Sequence, residues 1–193
     1  MTIAEIKEYW SAQGQPTSTF SSIQLPDADL SSSTRQFLEE AGLPTDAAPF
    51  LSFATQDNPP YLVSTQYDFL PASFKRYVCI GSDGGGNPIV IDSLTQHILL
   101  LDHENDFVVQ YMNSSIWQLA EALIAYCEFG KQTVALNGED AFLDANFSDE
   151  LFADLRLKLL TIDSAAFTEN TFWAGELQNL LANREYYRTE SGT

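Results

Sequence analysis

The sequence predicts an α+β fold, an antiparallel meander flanked by helices, and three observations predict it. Between residues 74 and 112 the chain alternates β-rich apolar runs with short polar turns, at 74–80, 88–92, 97–102 and 107–112. Directly after them Ile116, Leu119, Ala120, Leu123, Ile124 and Cys127 fall at i, i+3, i+4, i+7, i+8 and i+11, the spacing of one buried helix face. Further capped helical patterns stand before and after this block, at residues 2–12, from Ser32, and beyond Ser148.

Taken in order, Thr2 and Glu5 form a capping box ahead of Ile3, Ile6 and Trp10, which predicts a helix over 2–12 that stops near Gly14. Residues 11–22, rich in Ser, Thr, Gln and Gly, read as a loose surface segment. A second helix starts at Ser32 or Ser33, turns Phe37, Leu38 and Ala41 inward and ends at Gly42-Leu43-Pro44. Phe50–Phe53 and Tyr61–Val63 read as strands around the turn Asp57-Asn58-Pro59-Pro60. The long helix opens at Asn113-Ser114-Ser115, with Ser115 and Gln118 placed as a capping box and Asn113 positioned to satisfy free backbone amides, and Gly130 is expected to close it. Ser148 caps a helix carrying Leu151, Phe152, Leu155 and Leu159. Thr168 or Asn170 precedes another with Phe172, Trp173, Leu177, Leu180 and Leu181, and a frayed tail is expected over Thr189–Thr193.

Between the first two strands of the meander lies Gly81-Ser82-Asp83-Gly84-Gly85-Gly86-Asn87-Pro88. Its glycine spacing imitates the first half of a phosphate-binding loop. Asn87 and Pro88 stand where Lys and Ser or Thr would have to follow, so no cation is present to hold a phosphate. The flanking apolar runs make it a hairpin turn instead, with glycine supplying backbone angles that other residues adopt at a cost.

Composition narrows the functional classes. The chain has 193 residues, 45% of them hydrophobic, enough for one domain that buries roughly two-thirds of its unfolded surface. We read residues 1–193 as a single domain: an N-terminal helix and loop at 1–35, a core at 36–130 and a helical part at 131–193. Nine basic against 27 acidic residues give a net charge of -18, so phosphate backbones and membrane surfaces are repelled, whereas a basic protein is attracted. Residues 36–130 hold 12 acidic and two basic side chains, Lys75 and Arg76; a solvated acidic surface and a functional acidic face both fit that count. The start of the chain lacks the order of a signal peptide and no apolar run spans a bilayer, so a cytoplasmic location is expected. Cys79 and Cys127 form no CxxC pair and read as reduced core thiols that can meet inside the fold.

Catalytic and metal signatures are sparse. His97 and His103 are the only imidazoles, and no Gly-x-Ser-x-Gly elbow or Cys beside a base appears. Asp102, Glu104 and Asp106 imitate the start of an EF-hand loop, but Phe107 follows where that loop needs Gly, and Asn113 stands at the twelfth position where it needs Glu. They read as a solvated hairpin tip. No cofactor, no metal and no catalytic residue is expected.

The order Phe37-Leu38, Gly42-Leu43-Pro44, Pro49–Phe53, Tyr77–Asp92, then Val109–Ser115 with its helix, resembles the SUKH superfamily, most closely its fourth group of bacterial immunity proteins. The hairpin Ile80–Asp92 and the Asn113-Ser114-Ser115-Ile116 helix start carry the resemblance, and Phe172-Trp173 matches a weaker aromatic pair. Coverage is good over 36–130 and thin elsewhere. The resemblance implies a SUKH-like α+β domain, with a mixed, mostly antiparallel sheet flanked by helices, that is not an enzyme and neutralises a polymorphic toxin by binding it. It leaves open a regulatory or adaptor protein that binds an ordinary cellular protein, and a small-ligand-binding protein is the third alternative. Under the leading reading, Asp83, Asp102, Glu104 and Asp106 steer a basic toxin domain onto the sheet or its rim; oligomeric state is not legible.

Overall fold

In the computed structural model, residues 1–190 are described. The chain runs α1 (Ile3–Ala12), β1 (Thr17–Ser18), α2 (Ser32–Gln36), β2 (Leu43–Pro44), β3 (Asp46–Ala47), β4 (Leu51–Phe53), β5 (Tyr61–Leu62) and α3 (Val63–Gln66). The meander β6 (Tyr77–Ser82), β7 (Pro88–Asp92), β8 (Ile98–Asp102) and β9 (Val108–Asn113) follows, and α4 (Ile116–Asn137), α5 (Asp149–Ile162) and α6 (Phe172–Glu190) complete it.

The helices begin where short polar side chains replace missing backbone partners. Thr2 Oγ1 accepts from the Glu5 amide at 3.3 Å while the Glu5 carboxylate accepts from the Thr2 amide at 2.6 Å, both halves of the capping box. Ser31, Ser115 and Ser148 cap α2, α4 and α5 in turn. α2 continues into a wider π-type turn over Phe37–Ala41, and Gly42 ends it with φ at 71°. Gly130 does not end α4, contrary to expectation: it lies within the helix against the Phe142 ring, and Gly138, with φ at 105°, is the stop. Thr189 and Glu190 belong to α6, and residues 191–193 of the expected frayed tail lie outside the described residues.

One sheet orders the strands β3-β4-β6-β7-β8-β9, with β5 also on β6. Its α+β class, flanking helices and mostly antiparallel sheet are as the sequence implied, and no parallel pair lies among the described residues. β4 and β5 share one edge of β6: Phe53 pairs Gly81, the Ala54 amide reaches the Ile80 carbonyl at 2.9 Å, and Tyr61 pairs Cys79. They are one strand interrupted by an excursion over residues 55–60, where the sequence shows two strands and a turn.

Side chains alternate across the sheet, and both faces are covered. Val78, Ile80, Ile89, Ile91, Ile98 and Leu100 join the large cluster under α1, α4, α5 and α6. Tyr77, Cys79, Val90, Leu99 and Leu101 face the other way, under the segment 61–76, with Val63 and Phe107. Burial on both faces explains why β7 is buried from end to end. It also separates the two thiols: Cys79 points to the small cluster and Cys127 packs against the large one, so they do not meet. Burial pushes the Cys79 thiol up.

Candidate partner-binding rim and cleft

Antiparallel pairing brings three turns to one end of the sheet: residues 48–50 ahead of β4, 83–87 between β6 and β7, and 103–107 between β8 and β9. The four acidic residues singled out from the sequence are therefore brought to one rim. Asn87 joins the two hairpins. Its Nδ2 donates to Asp83 Oδ2 at 2.9 Å, and its Oδ1 accepts from the His103 amide at 3.0 Å and from His103 Nδ1 at 2.7 Å.

Asp83 serves the turn as well as adding charge to the rim. It is half-buried, and its Oδ1 accepts from the Gly85 and Asn87 amides, each at 2.9 Å, so the carboxylate organises the turn. Only Gly86 in the run Gly81–Gly86 has positive φ, 83°. Gly81 is required for another reason: an added Cβ would lie 2.3 Å from the Ser52 carbonyl oxygen. At the neighbouring tip Asp102 is half-buried, while Glu104 and Asp106 are exposed and form no ion pair among the described residues. The tip is held by Phe107, whose ring lies 4.9 Å from that of Tyr67 and 5.9 Å from that of Phe74.

The cations of the central region stand at the opposite end of β6. Lys75 and Arg76 precede its first residue, and Arg76 pairs with the buried Asp92 at 3.2 Å. The four rim carboxylates and the two cations of residues 36–130 thus stand at opposite ends of the meander.

Beside the rim a cleft of about 740 Å³ opens between the sheet end and the helices. One face of α6, Glu176, Asn179, Leu180 and Asn183 at i, i+3, i+4 and i+7, forms a wall. Residues 46–52 and Gly84 form the opposite side, and Tyr126, Cys127 and Phe142 also line it. Phe50, 82% exposed with φ at 58°, and Leu143, 68% exposed, stand at its mouth. Burial, together with the negative charge of Asp83, holds the Glu176 carboxyl above the ordinary carboxylate range, although Asn179 donates to it at 3.3 Å. Sequence reading missed this wall, because Leu177 and Leu180 mark the buried side of the helix and give no sign of what its polar neighbours face; Leu181, expected with them, is exposed. The only available signal was the spacing of Glu176 and Asn183 about Leu180.

A buried polar network positions α6. Trp173 Nε1 donates to Asn113 Oδ1 at 2.9 Å, and Asp163 accepts from the Ser114 amide at 2.6 Å and the Ser114 hydroxyl at 2.9 Å. Asn113 therefore does not cap α4. Ser115 does, which leaves Asn113 free to hold the first turn of α6 against the end of β9.

Among the described residues no three His, Cys, Asp or Glu side chains group as a metal site, and no helix is long and apolar enough to cross a membrane. The fold defines an α+β protein built on an antiparallel sheet covered on both faces, with an acidic rim at one end. The family model described as SUKH-4 immunity protein matches residues 4–179, and the chain belongs to that family. The match extends through α1 and through most of 131–193, where the resemblance read from the sequence is thin. Comparison with curated proteins and with solved structures returned no match.

Proposed function

We propose that this chain is a non-enzymatic immunity protein of the cytoplasm that binds and neutralises a polymorphic toxin, and that Asp83, Asp102, Glu104 and Asp106 steer a basic toxin domain to the rim. Membership of the SUKH-4 immunity protein family carries the immunity reading. The collection of the four carboxylates at the end of the sheet opposite Lys75 and Arg76 supports a basic partner. A field of this kind raises the encounter rate more than it tightens the final complex. We treat residues 1–193 as one working domain, a reading supported by an apolar cluster that joins Ile6 to Leu180.

Co-expression with the toxin encoded beside the gene tests the reading: the wild-type chain restores growth and forms a complex with the toxin domain. Failure to protect against any adjacent toxin, with an ordinary cellular protein bound instead, overturns it in favour of an adaptor.

A further inference from the structure

We propose that the cleft between the sheet end and α6 receives a Lys or Arg side chain from an apolar-flanked segment of the toxin, with Glu176 as its counter-charge and Phe50 and Leu143 gripping the flanking residues. This deepens the immunity reading and rests on it for the source of the segment.

Charge complementarity selects the occupant. Asp46 and Glu176 line the cleft, Asp83 is close enough to act on Glu176, and no Lys, Arg or His is among the lining residues. An anionic ligand therefore finds no counter-charge there, and a second copy of a chain carrying -18 is disfavoured for the same reason. Two large apolar side chains exposed at the mouth of an acidic cleft suit a segment that is cationic at its centre and apolar on either side. A guanidinium seated beside Glu176 also relieves the arrangement that disfavours its ionised form, since the like charge of Asp83 is then offset. Asn179 and Asn183, on the same face of α6, are placed to take the backbone polar groups of such a segment.

The test uses the full chain labelled with ¹⁵N and the peptide acetyl-Gly-Leu-Arg-Leu-Gly-amide, with a second peptide in which citrulline, neutral and nearly isosteric, replaces Arg. Amide shifts are expected at residues 46–52, Gly84 and 176–183, with affinity falling about tenfold for citrulline and similarly for Glu176→Gln, the loss of one charge-assisted contact. Asp57→Asn, an exposed carboxylate outside both the cleft lining and the rim, keeps the wild-type response. Equal binding of both peptides, or shifts centred on residues 102–106, overturns the proposal. So does a concentration-dependent dimer abolished by Leu143→Asp, which gives the cleft to a second copy. Peptide binding in the cleft without protection from any toxin removes the immunity reading and leaves the cleft chemistry standing. Protection without peptide binding does the reverse.

Discussion

Trp173 donates its indole N–H to the side-chain oxygen of Asn113 across 60 residues of sequence, at 2.9 Å and out of contact with water. The two residues come from the late aromatic pair and the Asn-Ser-Ser helix start, so two separated marks of the family are one contact in the core. Trp173→Phe removes the donor, leaves a buried oxygen short of a partner and opens a small void. A loss of about 2–4 kcal/mol in urea unfolding is expected. Trp10→Phe is the control, because the buried indole N–H of Trp10 has no hydrogen-bond partner among the described residues; its loss should be smaller. Equal losses would mean that the Asn113 bond contributes nothing beyond volume.

Glycines separate backbone necessity from helix economy. A Cβ at Gly42 would stand 2.0 Å from the Ser18 carbonyl oxygen, at a φ of 71°, so Gly42→Ala is expected to destabilise severely or prevent folding. Gly130 has helical geometry, and an added Cβ would approach the Phe142 ring no closer than 3.4 Å. Gly130→Ala should therefore be neutral or stabilise by about 0.5–1 kcal/mol through helix propensity. A thermal melt separates the two outcomes.

That contrast shows where the sequence was legible. Caps and periodic faces are local, so Thr2 with Glu5, Ser115 with Gln118, and the bounds of β7 were readable without knowing the fold. Gly130 misleads because glycine is a common helix stop, while the residue that decides its fate, Phe142, arrives from a later loop. The partners of Asn113 lie 50 and 60 residues away, at Asp163 and Trp173, so its capping role was the only one visible locally. The rim was half legible: turns rich in acidic residues stood out, but their meeting at one end depends on strand direction, and the wall bearing Glu176 is supplied by a helix distant in sequence.

Asp83 serves the turn and the field at once, and two substitutions separate these roles. Asp83→Ala removes the acceptor for the Gly85 and Asn87 amides and should cost about 1–2 kcal/mol, as a lost cap does. Asp83→Asn keeps an oxygen for those amides, sets an NH2 against Asn87 Nδ2 where Oδ2 had accepted, and removes the charge, so it should melt below wild type but above Asp83→Ala, while association with a basic toxin domain slows. If both variants melt alike, the turn does not depend on this acceptor.

The triple change of Asp102, Glu104 and Asp106 to Lys tests steering directly. Glu104 and Asp106 are exposed and outside any ion pair among the described residues, so the fold should survive. Association measured by stopped flow at low salt should slow by tenfold or more, the order of gain that steering supplies, while dissociation changes little. The variant and the wild type should converge at high salt, where the field is screened. Rates that differ equally at both salts would assign the effect to lost contacts.

Glu176 gives the pH dependence a definite sign. Its carboxyl is raised above the ordinary value by burial, and the charge of Asp83 adds to the rise; Tyr126 and Asp46 also border the cleft, and no cation does. Between the ordinary glutamate pKa, about 4.3, and the raised folded value, the folded chain holds more protons than the unfolded one. Stability from this group is therefore highest at low pH, falls as pH rises through that window and stays reduced above it. Glu176→Gln escapes the loss, so it should be more stable than wild type at neutral pH, by under about 1 kcal/mol because water still reaches the carboxyl, and the two should converge below pH of about 4. A carboxylate whose replacement by glutamine stabilises the chain is one whose presence the stability of the fold does not explain. A less stable Glu176→Gln at neutral pH would make the Asn179 contact the reason for its presence, and a structural one.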